Sequence, residues 1–510
     1  MAALILRVWV LVASGRFGAD EAIPGLMARH IVTAHELPVF YWGQAYFGAA
    51  ESYAIAALFL AFGFHPWLVF VPAVAASVAL VPLVWALGEH VGPWPAGLIA
   101  ALPIAIPPPV LSRMLSNAGG GFSLGFALEC GAVLCVIRAY WVPSARLRWV
   151  ALFSLLVGFA GWVWQPALVA LPPLIGVLLL REPALRRPGA LAGVAAPAVV
   201  GLAPMLAYNV QSDWPTLGAL VAKYGQMEVA AADDPGARLQ QFAALLLTGL
   251  GGGEETFGGA NPAQSLLVAA AVLVQPAAVT FLAVRSSVAG WRSRAVATGL
   301  VLSAAALNTL AAHAGARYLV PASLAGYVLT GGLLALPSNR LRCGRLLGLG
   351  VGMLVLGVGN LRGYADISGL MSPDQVSRVD EIHVALAALN QRGLTAGYAD
   401  YWTAYPIAYL SGESVAVAPA LPFVWGVPTD RYPAYTRQVD AVADPSHLFV
   451  LVDRRCASAA YLQALDGAGA TYRVDDVARW LLIWDIHPPA GAERAALVSL
   501  RQSIAARQTC

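Results

Sequence analysis

The sequence predicts a polytopic α-helical membrane protein of about eleven spans with a C-terminal α/β domain outside the membrane. Three observations predict it. Of 510 residues, 59% are hydrophobic and only 12% charged, with a mean hydropathy of +0.67, more apolar surface than a soluble globule can bury. Long apolar runs recur as far as Asn360, and charge returns after it.

A bilayer core of ~30 Å needs about 20 apolar residues per helix. The runs are Ala2–Ala13, Trp67–Leu87, Pro95–Leu111, Phe122–Val142, Trp149–Trp164, Pro166–Leu180, Ala190–Tyr208, Pro262–Val284, Ala295–Ala312, Tyr318–Leu336 and Leu346–Val358. Glycine and proline inside them are tolerated, because neighbouring helices re-satisfy the freed backbone groups. The first run is short: at ~1.5 Å per residue it covers only part of the bilayer, so this span is expected to be truncated or to begin upstream. It lacks the basic start of a signal peptide.

The net charge of +3 excludes no partner by itself, but the arginines are ordered. Arg138, Arg146 and Arg148, then Arg181, Arg186 and Arg187, then Arg285, Arg292 and Arg294, then Arg340, Arg342 and Arg345 fall in every second connection from the fourth run onward. This positive-inside pattern makes those loops cytoplasmic. Ser14–Pro66, Ser112–Gly121, Asn209–Asn261, His313–Arg317 and the chain after Asn360 then lie outside, in a bacterial inner membrane if the alanine- and arginine-rich composition reflects a GC-rich genome. Five cysteines are too few for a disulfide scaffold. Cys130 and Cys135 read as packing residues, and Cys456 and Cys510 as a bridge or two free thiols.

Beyond Asn360, short apolar strands alternate with helical segments. Val379–Gln391, Thr403–Leu410 and Ala457–Leu465 read as helices, and Thr395–Tyr398, Ser414–Ala418, His447–Asp453, Thr471–Val474 and Trp480–Trp484 as strands. The chain is therefore divided into a membrane domain, 1–360, with a first external loop at 14–66, and a soluble α/β domain, 361–510.

The first external loop places charged and aromatic residues close together. Ala22, Ile23, Leu26, Met27 and Ile31 recur at helical spacing, predicting an amphipathic helix that lies flat on the membrane. Asp20 would be its N-cap and Glu21 a partner of its dipole, as helix starts favour. Pro38, Phe40, Tyr41, Trp42, Tyr46 and Phe47 follow, with Gln44 and Glu51 among them. Such a loop suits a headgroup or sugar, and equally an aromatic belt at the interface. Glu129 is a carboxyl inside a predicted span, a costly placement that marks functional sites by default. Arg113 and Asn117 mark an external turn beside Gly119, Gly120 and Gly121, which either lets a lipid phosphate approach the backbone closely or is only a flexible joint. No metal-ligand spacing and no paired acidic motif stands out in the external loops, so no cofactor is expected, with a divalent metal left open.

The pattern of Asp20-Glu21-Ala22, Met27-Ala28-Arg29-His30, Tyr41-Trp42-Gly43-Gln44, Tyr46, Gly48 and Glu51, closed by the apolar Leu58 to Gly63, resembles the first external loop of C-fold (GT-C) membrane glycosyltransferases. It is nearest to family 39, the protein O-mannosyltransferases, and to the lipid A aminoarabinose transferases. Arg317-Tyr318-Leu319-Val320-Pro321 and the stretch Tyr398 to Tyr405 are similar to the same group. The resemblance implies a sugar carried on polyprenyl phosphate, transferred to an acceptor hydroxyl outside the membrane with inversion. It implies Asp20 as the catalytic acid residue, with Glu21 beside it, and Arg29, His30, Tyr41, Trp42, Gln44 and Glu51 at the substrate. The acceptor would be a cell-envelope protein, lipid or polysaccharide, with no nucleic acid involved.

The chemistry asks for the same residue types. A hydroxyl attacking an anomeric carbon must lose its proton to a base such as a carboxylate, and the departing phosphate must meet a cation. Arg317, at the outer end of a span, is the first candidate for that cation, with Lys223 and Arg113 behind it. Ordinary snorkelling to the interface explains Arg317 as well. The rival reading is a transporter or lipid flippase, but the two matching halves expected of many transporters are not evident here.

Overall fold

The computed structural model describes residues 1–92, 94–165, 168, 175, 187–220, 320–335, 357–365, 377–421, 430–454, 458–467 and 469–489. The chain divides into two compact units: Met1–Ser14, Ala45–Glu51 and Phe70–Ser372 form the first, and Gly15–Gln44, Ser52–Val69 and Pro373–Cys510 the second. Most of the segment 14–66 thus clusters with the C-terminal segment, whereas the sequence groups it with the spans. Backbone pairing accounts for part of this. The Phe17 N–H donates to Ser377 O at 3.0 Å and the Val379 N–H to Gly15 O at 2.9 Å.

The first unit is helical. Its described helices are α1 (Ala2–Ser14), the start of α3 (Ala50–Phe62), α4 (Val71–Val91), α5 (Ala96–Ala105), α6 (Pro109–Leu115), α7 (Phe122–Trp141), α8 (Arg146–Val163), α9 (Pro188–Gln211) and α10 (Val320–Leu334), with a further helical stretch at 357–365. Among the described residues four helices are long and apolar enough to cross a bilayer: Pro66–Val91, Phe122–Ala139, Arg146–Val163 and Pro188–Gln211. Each overlaps a run that the sequence marks as a span. The runs Pro262–Val284 and Ala295–Ala312 lie outside the described residues, as do nearly all of Pro166–Leu180 and Leu346–Val358. Close approach of α8 and α9 depends on small side chains, as in membrane helix pairs generally. A Cβ on Gly158 would stand 2.1 Å from Ala198 O.

The expected single span Pro95–Leu111 is instead broken. Helix α5 ends at Ala105 and α6 starts at Pro109, because Pro107 and Pro108 lack the N–H groups a continuous helix would use. In an apolar surround the freed carbonyls need other donors. The guanidinium of Arg7, fully buried in α1, donates to Ile104 O at 3.0 Å and to Ser77 Oγ. Asn360 Nδ2 donates to Ile106 O at 2.7 Å and the Tyr364 hydroxyl to Pro107 O at 2.9 Å.

The second unit contains α2 (Ala19–Thr33), most of α3, and a five-stranded sheet of order β2-β1-β3-β5-β4. Strands β1 (Ala396–Asp400), β2 (Ala416–Leu421) and β3 (Leu448–Asp453) run parallel, while β4 (Thr471–Val477) and β5 (Trp480–His487) pair antiparallel at one edge. The central β3 is buried at every position, as its apolar run Leu448–Val452 requires. Helices α11 (Val379–Gln391), α12 (Tyr401–Leu410), α13 (Pro433–Asp440) and α14 (Ser458–Gly467) complete it. Of these, α13 has no counterpart in the sequence reading. Pro433 at its first turn is the start signal that could have marked it.

Candidate active site

The segment carrying Asp20 enters its helix through two glycines. Gly15 has φ +58, a left-handed conformation that favours glycine, and Gly18, in extended backbone, is the N-cap of α2. The capping expectation for Asp20 is therefore corrected: Asp20 is the second residue of the helix. The carboxylate that reaches back is that of Glu21, which accepts from the Gly18 N–H at 2.8 Å and is 2% exposed. Glu21 thus has the geometry of a helix start.

The expected amphipathic stripe is also absent. From Ala19 to Ala28 every residue is buried except Asp20. Helix α2 is packed on all sides through these turns, because the apolar positions outnumber one face and Pro24 and Gly25 add no polar group. One acidic side chain is left partly open to solvent at its first turn.

Helix α12 packs against α2. Tyr401, Tyr405 and Tyr409 fall at intervals of four, one above another on one face, and all three are buried. The Tyr409 ring stacks on Phe17, with centroids 5.4 Å apart, and lies over Gly25, where a Cβ would meet it at 2.6 Å. The Tyr405 hydroxyl accepts from the backbone N–H groups of Arg431 and Tyr432. Burial pushes the Tyr401 hydroxyl well above the usual phenol range, and the Asp20 charge pushes it further. Asp400, at the end of β1, caps α12 by accepting from Trp402 N–H at 2.8 Å and from the Thr403 hydroxyl at 2.6 Å. Burial, with Asp453 beside it, raises its carboxyl to about 6.

Four residues marked by sequence as substrate-binding meet the C-terminal segment. Rotated so that its oxygen faces Arg431, the Gln44 amide accepts from the guanidinium at 2.7 and 3.0 Å. Trp42 stacks on Tyr432 with centroids 4.0 Å apart. His30 Nε2 lies 2.7 Å from Glu413 Oε1, and its Nδ1 2.9 Å from Glu36 Oε1. Arg29 Nε is 3.5 Å from Glu413 Oε2, which also receives support from the Tyr435 hydroxyl, donating to Oε1 at 2.7 Å. Tyr41 is buried. None of Glu36, Glu413, Arg431, Tyr432 or Tyr435 was given a role by the sequence.

This cluster makes stability pH-dependent. Burial alone would lower the His30 pKa, but its hydrogen bonds to Glu413 and Glu36 raise it above 6.5. Burial would raise Glu413, yet His30 and Tyr435 bring it below 4.5. The His30 contribution is complete below pH 6.5 and lost as pH rises through the raised value. The Glu413 contribution is complete above pH 4.5 and lost as pH falls through the lowered one. The unfolding midpoint in detergent is therefore expected to fall from pH 6 to pH 8, and Glu413→Gln should flatten that slope. An equal slope in the variant would remove Glu413 as its source.

The remaining sequence candidates lie in the first unit or outside the described residues. Glu51 is buried, and its Oε2 accepts from the Gly121 N–H at 3.2 Å, at the start of α7. The backbone that the sequence offered to a lipid phosphate thus already has a carboxylate on it. Arg113 donates to Asn117 Oδ1 at 3.2 Å and lies 5.6 Å from the centre of the Phe70 ring. Glu129 is buried in α7, and its Oε2 has no hydrogen-bond partner among the described residues. Arg317, Lys223, Cys456 and Cys510 lie outside the described residues. Among the described residues no three His, Cys, Asp or Glu side chains are grouped as metal ligands.

The whole chain is similar to solved membrane transferases. ArnT from Cupriavidus metallidurans bound to undecaprenyl phosphate superposes with a TM-score of 0.67 at 13% identity, over 94% of this chain and 96% of that one. Its apo form gives 0.60 at 12% identity, over 94% and 97%. The apo Archaeoglobus fulgidus oligosaccharyltransferase gives 0.52 at 12%, over 91% of this chain and 70% of that one. The chain has the GT-C fold. No family model and no curated protein matches the sequence. The GT-C architecture expected from the first loop is thus met across nearly the full length of the chain.

Proposed function

We propose that this chain is an inverting glycosyltransferase that moves a sugar from a polyprenyl-phosphate donor to an acceptor hydroxyl at the extracytoplasmic face. The observation that carries the reading is Asp20, the one residue from Ala19 to Ala28 that is not fully buried, set in a fold shared with ArnT. That ArnT structure holds undecaprenyl phosphate, which supports a polyprenyl-phosphate lipid as donor here. The arginine-rich loops support an external position for Asp20 and for the C-terminal segment, with roughly eleven spans in all.

In this reading Asp20 accepts the proton of the acceptor hydroxyl as its oxygen bonds to the anomeric carbon. The bond from that carbon to the phosphate oxygen breaks, and its electron pair leaves with the lipid phosphate. Arg317 is our first candidate for the cation that meets that charge, followed by Lys223 and Arg113. Glu21 holds the helix start. Arg29, His30, Tyr41, Trp42, Gln44 and Glu51 shape the substrate site, with Arg29, His30, Trp42 and Gln44 acting through the loop they brace.

The test uses purified full-length protein in detergent, where there are no compartments to transport between. Polyprenyl-phosphate sugars, radiolabelled in the sugar, and an envelope extract from the strain carrying the gene are the substrates. Label is expected to pass into the acceptor fraction. Label that stays on the lipid, with intact protein, would reject the transferase reading.

A further inference from the structure

The chain reverses just after α2. His35 has φ +54, a left-handed conformation, and the Glu36 N–H donates to His30 O at 3.3 Å. The reversal brings the Glu36 carboxylate back to a ring six residues earlier, with His30 Nδ1 2.9 Å from Glu36 Oε1. The other ring nitrogen, Nε2, lies 2.7 Å from Glu413 Oε1. An ionised carboxylate only accepts hydrogen bonds, and a neutral imidazole carries a single N–H. Two carboxylates, one on each nitrogen, therefore call for the doubly protonated ring.

The two carboxylates are not held equally. Glu413 also has Arg29 Nε at 3.5 Å from Oε2 and the Tyr435 hydroxyl donating to Oε1 at 2.7 Å. Glu36, whose side chain is 38% exposed against 22% for Glu413, has besides His30 the Tyr432 hydroxyl at 3.4 Å. With Arg437 of α13 acting on Tyr432 through its charge, these are the charged and titratable groups around the ring. A ring that gives up one proton keeps the one on Nε2, which faces the better-held carboxylate. The bare Nδ1 lone pair then points at Glu36. The Tyr432 hydroxyl, 3.4 Å from Nδ1 as well, can turn to that nitrogen and leave Glu36 without its second donor.

We infer that His30 is a proton-operated latch: the doubly protonated ring ties the stretch 36–44 to the C-terminal segment, and loss of the Nδ1 proton releases Glu36 and loosens that stretch. The rest of the stretch is laid on the same groups. Trp42 meets the His30 ring edge-on, with centroids 5.0 Å apart, and stacks on Tyr432 at 4.0 Å. Gln44 is bonded to Arg431. Burial opposes the charge on His30, but its bonds to Glu413 and Glu36 hold the pKa above 6.5. The latch is therefore complete below pH 6.5 and opens as pH rises through the raised value.

Hydrogen exchange of the full chain in detergent, followed by mass spectrometry and corrected for the intrinsic effect of pH, reads the latch directly. It needs no substrate, so its outcome is independent of the transferase reading. The Glu36 and Gln44 amides, bonded to His30 O and Tyr41 O, are the reporters. Protection of 36–44 is expected to fall about tenfold between about pH 6 and about pH 9, the scale of one hydrogen bond to a charged group. Strand β3, remote in sequence and buried throughout, should keep its protection. Glu36→Gln should remove the fall, because an amide offers a donor and an acceptor and so suits either form of the ring. His30→Gln should remove it too. Glu36 is the more open side chain of the two, so its variant reads the same slope if His30→Gln folds poorly. Equal protection of 36–44 at both pH values in the parent overturns the inference. An equal loss in β3, which reports general unfolding, or a fall that persists in Glu36→Gln, overturns it as well.

Discussion

Asp20→Asn is expected to lower sugar transfer by about 10²–10⁴-fold, the contribution typical of a general base, with little change in donor KM or in thermal stability. Asparagine keeps the shape of the side chain but cannot accept a proton. Because Gly18 is the N-cap and Glu21 supplies the carboxylate that reaches its N–H, the helix start does not depend on Asp20. Asp20→Ala should therefore leave the cap in place while removing a dipole interaction of ~0.3–1 kcal/mol. Glu21 behaves in the opposite way. Glu21→Ala removes a buried cap and should cost ~0.5–2 kcal/mol, whereas Glu21→Gln, which can still accept, should be mild. Steady-state transfer and thermal unfolding of the four variants, measured together, check this. A folded Asp20→Asn that retains most of its activity would return the acid to an ordinary place in a helix.

Arg7→Leu is expected to destabilise the membrane unit by about 3 kcal/mol. Replacing a buried charge by an apolar residue is often neutral when its partner is also removed, but here the partners are backbone groups that remain. The Ile104 carbonyl would normally bond four residues onward, and Pro108 has no N–H to offer it. Arg7 supplies that donor at 3.0 Å. Leucine leaves the carbonyl unpaired in an apolar surround. Lysine, with a donor but no fork, should recover part of the loss. The unfolding midpoint of purified protein in one detergent reads the difference, and a leucine variant as stable as the parent would show that the break in the helix is satisfied without Arg7.

Local signals carried the C-terminal elements well. The helix expected at Val379–Gln391 is found with those bounds, and the strand expected at His447–Asp453 is found as Leu448–Asp453, because periodicity and burial agree there. The break after Ala105 was hidden by the apolar composition of Pro95–Leu111. Hydropathy records solubility in lipid, and an unwound stretch served by buried donors is equally apolar. The amphipathic assignment of α2 failed for a related reason: spacing reveals one apolar face but not a second covering from elsewhere in the chain.

The site was legible in halves. Arg29, His30, Trp42 and Gln44 stood out by composition between the first two apolar runs, and Tyr401 and Tyr405 lay in a stretch that resembled the same family. What joins them could not be read, since His30 and Glu413 are 383 residues apart in sequence. No window or spacing rule links such positions. Arg431 and Glu413 carry no local signal of their own, being single charges in connecting segments. Their roles come from the fold, which returns the C-terminal segment to the first loop within one compact unit.

The central claim is that one bond, between sugar and lipid phosphate, is broken and remade on an acceptor hydroxyl. A polyprenyl-phosphate sugar labelled with ³H in the sugar and ³²P in the phosphate tests it most directly, in proteoliposomes that hold the full-length protein and envelope acceptor. The account predicts that ³H appears on the acceptor while ³²P stays with the prenyl lipid, and that Asp20→Asn suppresses this separation. Both labels crossing the bilayer together on an intact lipid, or arriving together on the acceptor, would contradict it.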